Sequence, residues 1–112
     1  MKITQEEHNH LTVLAIQGDF TAEHTPVFRQ TVLARLAANC RDFVLNLAQT
    51  DFVDSQALES LLWLQEQAGE KLGQVRLACL GENVHRILYV TRLLPRFDLH
   101  PDVSSAIQSL RV

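Results

Sequence analysis

Basic residues never cluster in this chain of 112 residues. Lys and Arg are spread singly, and with 13 acidic against 10 basic side chains the net charge is −3. A nucleic-acid or anionic-membrane footprint needs a basic stripe, so both partner classes are excluded. No apolar run approaches the roughly 20 residues that cross a bilayer. The opening residues Met1-Lys2-Ile3-Thr4-Gln5-Glu6-Glu7 are charged where a secretory signal would be apolar. Direct membrane insertion is therefore not expected, and a cytoplasmic location is. Glycine is scarce, at four residues, and forms no phosphate-cradling loop, so no ATP or other cofactor is expected on this chain. No Gly-x-Ser-x-Gly elbow surrounds any serine, which disfavours an enzyme using a serine nucleophile. The two cysteines, Cys40 and Cys79, stand apart at the edges of apolar segments and read as buried thiols without a disulfide. His8 and His10 could share a strand face, but no third ligand lies at a fixed spacing, so no metal site is expected.

What is present centres on Phe43 to Leu58. Phe43-Val-Leu-Asn-Leu47 suits a strand buried on both faces. Gln49-Thr50-Asp51 breaks it, and Phe52-Val53 leads into Asp54-Ser55. From Ala57 the apolar residues fall at helical spacing. A buried strand therefore feeds a loop ending at a helix start, where Asp54 and Ser55 are both good capping residues. Counting about 100° per residue along this helix, Ala57, Leu61, Leu62, Leu64, Ala68 and Leu72 are expected inward. Gln56, Glu59, Ser60, Trp63 and Gln67 are expected outward. Trp63, two turns from Ser55, is a candidate binding anchor because aromatic residues dominate interface hot spots. Its alternative is packing under a neighbouring loop.

Around this centre, Ile3–His10 reads as a marginal edge strand and Leu11–Gln17 as a firm one, pairing as a hairpin and ended by Gly18-Asp19. Thr25-Pro26 opens a helix, with Thr25 as N-cap and Val27, Leu33, Ala34, Ala37 and Ala38 as its apolar side. Gln74–Leu80 is a further strand, followed by a short helix over Val84–Thr91. Phe97–Leu99 is a brief strand, and Asp102–Leu110 a closing helix. The spacing predicts an α/β fold: one domain over residues 1–112, a mostly parallel sheet of about five strands, an N-terminal antiparallel hairpin and about four helices.

These residues also resemble a known family. Phe43-Val-Leu-Asn-Leu, a polar turn, then Phe52-Val-Asp-Ser, a small residue, Leu58 and a leucine-rich helix resemble the STAS domain of bacterial anti-anti-sigma factors, or anti-sigma factor antagonists. Gly18-Asp19-Phe20-Thr21 sits where the family has Gly-x-Leu-Asp. Asn83 to Leu88 with Thr91-Arg92-Leu93 resembles the next helix and its Thr-Gly-Leu end. The resemblance spans nearly the whole chain. It implies that Ser55 is phosphorylated by an anti-sigma factor with serine-kinase activity, with Asp54 as the adjacent acid and a PP2C-type phosphatase as the reversing enzyme. The unphosphorylated form would bind that partner without catalysing a reaction; the expected contact residues are Thr21, Asp54, Ser55, Gln56, Glu59, Ser60 and Trp63, of which Trp63 is taken from the helix geometry and not from the family. The chain departs from the family at Gln56-Ala57, in place of a second Ser-Gly. It departs again at Thr21, in place of an aspartate, and at Arg92, in place of a glycine. A second reading remains open, a constitutive STAS subunit of a stress-signalling scaffold or lipid-transport ABC complex. So does a third for Ser55 itself, a plain helix cap.

Overall fold

A computed structural model describes residues 1–110. β1 (Lys2–His8) and β2 (Leu11–Gln17) form an antiparallel hairpin that turns at Asn9, with φ of 58°. β3 (Asp42–Gln49), β4 (Val75–Ala78) and β5 (Asp98–His100) add in parallel, giving the sheet order β1-β2-β3-β4-β5. α1 (Thr25–Ala37), α2 (Ser55–Glu70), α3 (Glu82–Val90) and α4 (Val103–Ser109) connect or follow the strands. Among the described residues, five strands, four helices and the leading hairpin match the expected architecture; β2 has the expected ends and the other elements differ by at most three residues.

The sheet separates two apolar layers. Leu14, Ile16, Phe43, Leu45, Leu47 and Leu77 face α1, α2 and α3 and form the larger core. Leu11, Val13, Val44 and Ala78 face the other way and are covered by α4 through Ala106, Val103, Ile107 and Leu110. β3 is thus buried on both sides, which is why its sequence is nearly continuous in apolar residues. Arg76 on β4 fastens the thinner layer: it donates to Asp98 on β5 at 3.1 Å and to the Ser109 hydroxyl of α4 at 3.1 Å.

α1 differs from its sequence expectation. Its buried residues are Phe28, Val32 and Leu36, one turn apart, while Val27 and Leu33 are about half exposed and Ala34, Ala37 and Ala38 also face out. Apolar residues are spread almost evenly round this helix, so the sheet and α2 chose the face that presents the largest side chains. The N-cap is His24, not Thr25. Thr25 begins the helix and its hydroxyl donates to the Ala22 carbonyl at 2.9 Å.

Cys40 is buried at the end of α1, in a chain of hydrogen bonds. Arg35 donates to the Thr12 hydroxyl oxygen at 3.3 Å, Thr12 and Cys40 Sγ are 2.9 Å apart, and the thiol donates to the Asp42 carbonyl at 3.3 Å. Burial pushes the Cys40 thiol above its ordinary pKa, against the opposing pull of Thr12 and Arg35. It is an inert core residue; Cys79 is only half-buried.

α2 ends in a hydrogen-bonded reversal. Gly73 N–H donates to Ala68 at 2.8 Å and Leu72 N–H to Gly69 at 3.0 Å, with Leu72 at φ 61°. This is the arrangement in which glycine normally fills the left-handed position. Leu72, expected inward as part of the helix, is instead 88% exposed beyond its end. A side chain in that conformation costs about 1–2 kcal/mol. Leu72→Gly is therefore expected to stabilise the fold by about 1 kcal/mol, read as a higher midpoint in urea unfolding.

Candidate functional site

Two loops at the carboxyl end of the sheet build one platform. They follow β2 and β3, which are neighbours, so both emerge on the same side. Gly18 N–H donates to Gln49 at 2.9 Å, from a backbone turn with φ of 98° that favours glycine. Phe20 N–H donates to Phe52 at 2.9 Å, and Asp54 N–H returns to Phe20 at 3.2 Å. Thr50, buried, donates its hydroxyl to Ile16 at 2.8 Å. Beneath the platform Phe20 and Val53 are buried, and Phe20 packs on Phe28 with ring centroids 5.0 Å apart.

Asp54 joins the platform to α2. One carboxylate oxygen caps the helix by accepting from Ala57 N–H at 2.9 Å; the other accepts from Ala22 N–H at 2.8 Å. A cap of this kind contributes about 1 kcal/mol, and the second bond fixes the β2 loop against the helix start. Asp54 thus acts first as a structural clamp. Thr21 adjoins Ala22, which brings it beside α2 without an acidic side chain of its own.

Ser55 is the first residue of α2 and is exposed. Among the described residues, neither its N–H nor that of Gln56 has a protein acceptor. Two free donors at the positive end of a 16-residue helix are suited to an anion. Gln56 and Glu59, one and four residues after Ser55, are exposed, as are Asp19, Glu23, Asp51 and Phe52 on the two loops joined through Phe20 and Asp54. Phe52, 46% exposed, was missed as a surface candidate. The signal was available: the chain is extended there, and a buried Val53 turns its neighbour outward.

Two expected surface residues lie elsewhere. Ser60 is fully buried, on the flank of α2 that α1 covers, where Arg29 donates to its hydroxyl at 3.3 Å. It cannot touch a partner and leaves the contact set. Trp63 is half-buried on the same flank, with the Arg29 guanidinium 5.1 Å from its ring centroid. It is neither fully outward nor core: one face meets a cation, and the residue borders a shallow groove with Glu59, Glu66 and Arg96. Arg29 could not have been found from local sequence, because its partner Ser60 lies 31 residues away. His8 ends β1 while His10 sits in the turn, its ring bonded to the Asn39 carbonyl at 3.3 Å, so the two do not share a strand face.

The model of the STAS domain matches residues 2–106. The chain belongs to the STAS-domain family. A STAS-domain containing protein of Pseudomonas aeruginosa is 31% identical over 86 residues, covering 77% of this chain and 84% of that protein. Among solved structures, a putative anti-sigma factor antagonist from Thermotoga maritima superposes with a TM-score of 0.90 at 19% identity, covering 98% of this chain and 95% of that one. The unphosphorylated anti-sigma factor antagonist SpoIIAA gives 0.85 at 15% identity, covering 98% and 96%. At those identities the structural likenesses establish the STAS fold, with its leading hairpin and parallel remainder. No helix among the described residues is long and apolar enough to cross a membrane.

Proposed function

We propose that this STAS domain is a cytoplasmic anti-sigma factor antagonist switched at Ser55. Unphosphorylated, it binds an anti-sigma factor that is also a serine kinase, through the platform around Thr21, Asp54, Ser55, Gln56 and Glu59, with Trp63 as an outlying anchor. Phosphorylation of Ser55 ends that complex, and a PP2C-type phosphatase restores it. The kinase supplies ATP; this chain is the substrate and catalyses nothing.

The observation that carries the reading is an exposed serine hydroxyl at the first position of a helix whose cap is another residue. Because Asp54 does the capping, the Ser55 side chain is left without a structural task. Its phosphate would add about −1.5 to −2 charges and three acceptor oxygens. The unpaired N–H groups of Ser55 and Gln56 can take some of that charge, so the fold survives modification. A partner surface fitted to a hydroxyl would instead face a solvated dianion among Asp51, Glu23 and Glu59.

The test is phosphorylation by the candidate anti-sigma kinase with ATP, followed by site mapping in a mass spectrometer. One phosphate on Ser55, absent in Ser55→Ala, is the expected outcome. No transfer, together with stable copurification with a transporter ATPase, would replace the switch with a constitutive subunit.

A further inference from the structure

The two edges of the sheet are unlike. β5 is three residues long and runs into Pro101, so it offers little to an added strand. β1 is seven residues long, without proline, and pairs with β2 without a register break. Among the described residues no strand pairs with its outer side. The N–H and C=O groups pointing that way form a template for another strand. α1 runs over this edge on one face of the sheet: Arg35 pairs with Glu7 at 2.8 Å, and Ile3, Gln5, Thr31 and Ala34 border one shallow groove. Val27, one turn before Thr31, is 55% exposed.

We propose that β1 is a self-association edge: two copies of this chain pair β1 against β1 antiparallel, making one continuous ten-stranded sheet. Such an interface is isologous, with its twofold axis perpendicular to the sheet. That axis keeps both copies of α1 on the same face and sets residues of equal parity opposite one another. Charge selects the register. With Thr4 opposite Thr4 of the second copy, Lys2 faces the second copy's Glu6, and the symmetry makes this pair twice. Directly opposed unlike charges stabilise a strand pair, and like charges oppose it. Ile3 then meets Gln5 on the α1 face, where the groove beside Thr31 and Ala34 receives it. Charged edge residues usually deter pairing, but Lys2 and Glu6, four residues apart and opposite in sign, become complementary when the strand meets its own copy.

Sedimentation equilibrium of the full chain over a concentration series at low salt tests this. The expected mass rises to twice that of the monomer, and added salt weakens the association. Lys2→Glu and Glu6→Lys should each weaken the dimer at least tenfold, because each places like charges opposite one another. An equimolar mixture of the two variants should restore it, since every opposed pair is then unlike. Thermal unfolding of each variant confirms that the monomer fold is retained. A monomer at every concentration, or a mixture that associates no better than the separate variants, would overturn the proposal. So would a dimer indifferent to both substitutions.

Discussion

Ser55→Asp is expected to lower affinity for the anti-sigma partner more than a hundredfold while leaving the melting temperature nearly unchanged. The first effect needs only about 3 kcal/mol of lost binding. A permanent carboxylate at this point brings charge and hydration into an interface fitted to a neutral hydroxyl, in surroundings already acidic at Asp51, Glu23 and Glu59. The second effect follows from the local structure. Ser55 is exposed, and the helix is capped from Asp54, so no native hydrogen bond of the cap is lost. An acid in the first turn meets the positive helix end and gains about 0.3–1 kcal/mol. Ser55→Ala should bind as tightly as the unmodified protein and never be released by the kinase. Isothermal titration of both variants against the partner, beside their thermal melts, reads both parts. Equal affinity of the Ala and Asp variants would remove Ser55 from the interface.

The largest expected loss of stability comes from a position outside the platform. At Gly73 a Cβ would run into the carbonyl of Arg41 and approach the Arg41 side chain. The obstacle is backbone, and it is pinned. Phe43 N–H bonds the Gln74 carbonyl at 3.0 Å, and Gln74 N–H bonds the Asp42 carboxylate at 2.9 Å, so the two segments cannot separate cheaply. Overpacking of this kind costs about 3 kcal/mol. At about 2.1 cal/mol/K of unfolding entropy per residue, Gly73→Ala should melt roughly 13 °C lower. Gly69→Ala is the internal control: it lies within α2 with nothing near its would-be Cβ, and should gain up to about 1 kcal/mol from helix propensity. A Gly73→Ala variant as stable as the parent would mean that the β3–β4 entry yields readily.

Much of the architecture was legible because its signals are local. β2 and β3 are runs of large apolar and β-branched residues between turn residues, and Asp54-Ser55 before a leucine-rich helix marks a start wherever it occurs. Three misplacements share another origin. α1 carries apolar residues on every side, so its sequence holds no preference, and packing against α2 chose Phe28, Val32 and Leu36. Ser60 lies on a flank of α2 that is exposed or buried according to where α1 sits, and Arg29 decides that from 31 residues away. Leu72 continues the helical spacing of α2, yet the helix ends at Glu70 and the chain reverses at Leu72 itself. The departure from the family's Thr-Gly-Leu at Arg92 is of the same kind. Arg92 has φ of 62° and ends α3 in the reversal seen after α2, with Leu93 N–H donating to Leu88 at 2.9 Å. Arginine occupies a conformation that glycine would adopt without strain. The exposure of Ser55 could be expected from its place in the chain, whereas the double engagement of Asp54 depends on the β2 loop arriving alongside.

That double engagement bears on how fast and how selectively the platform can be recognised. Two loops tied to one carboxylate are held in one arrangement, so under the proposed switch little conformational freedom would be lost on association. Under that proposal encounter would need no waiting for a rare arrangement, and discrimination between hydroxyl and phosphate would fall mainly on how long a complex persists.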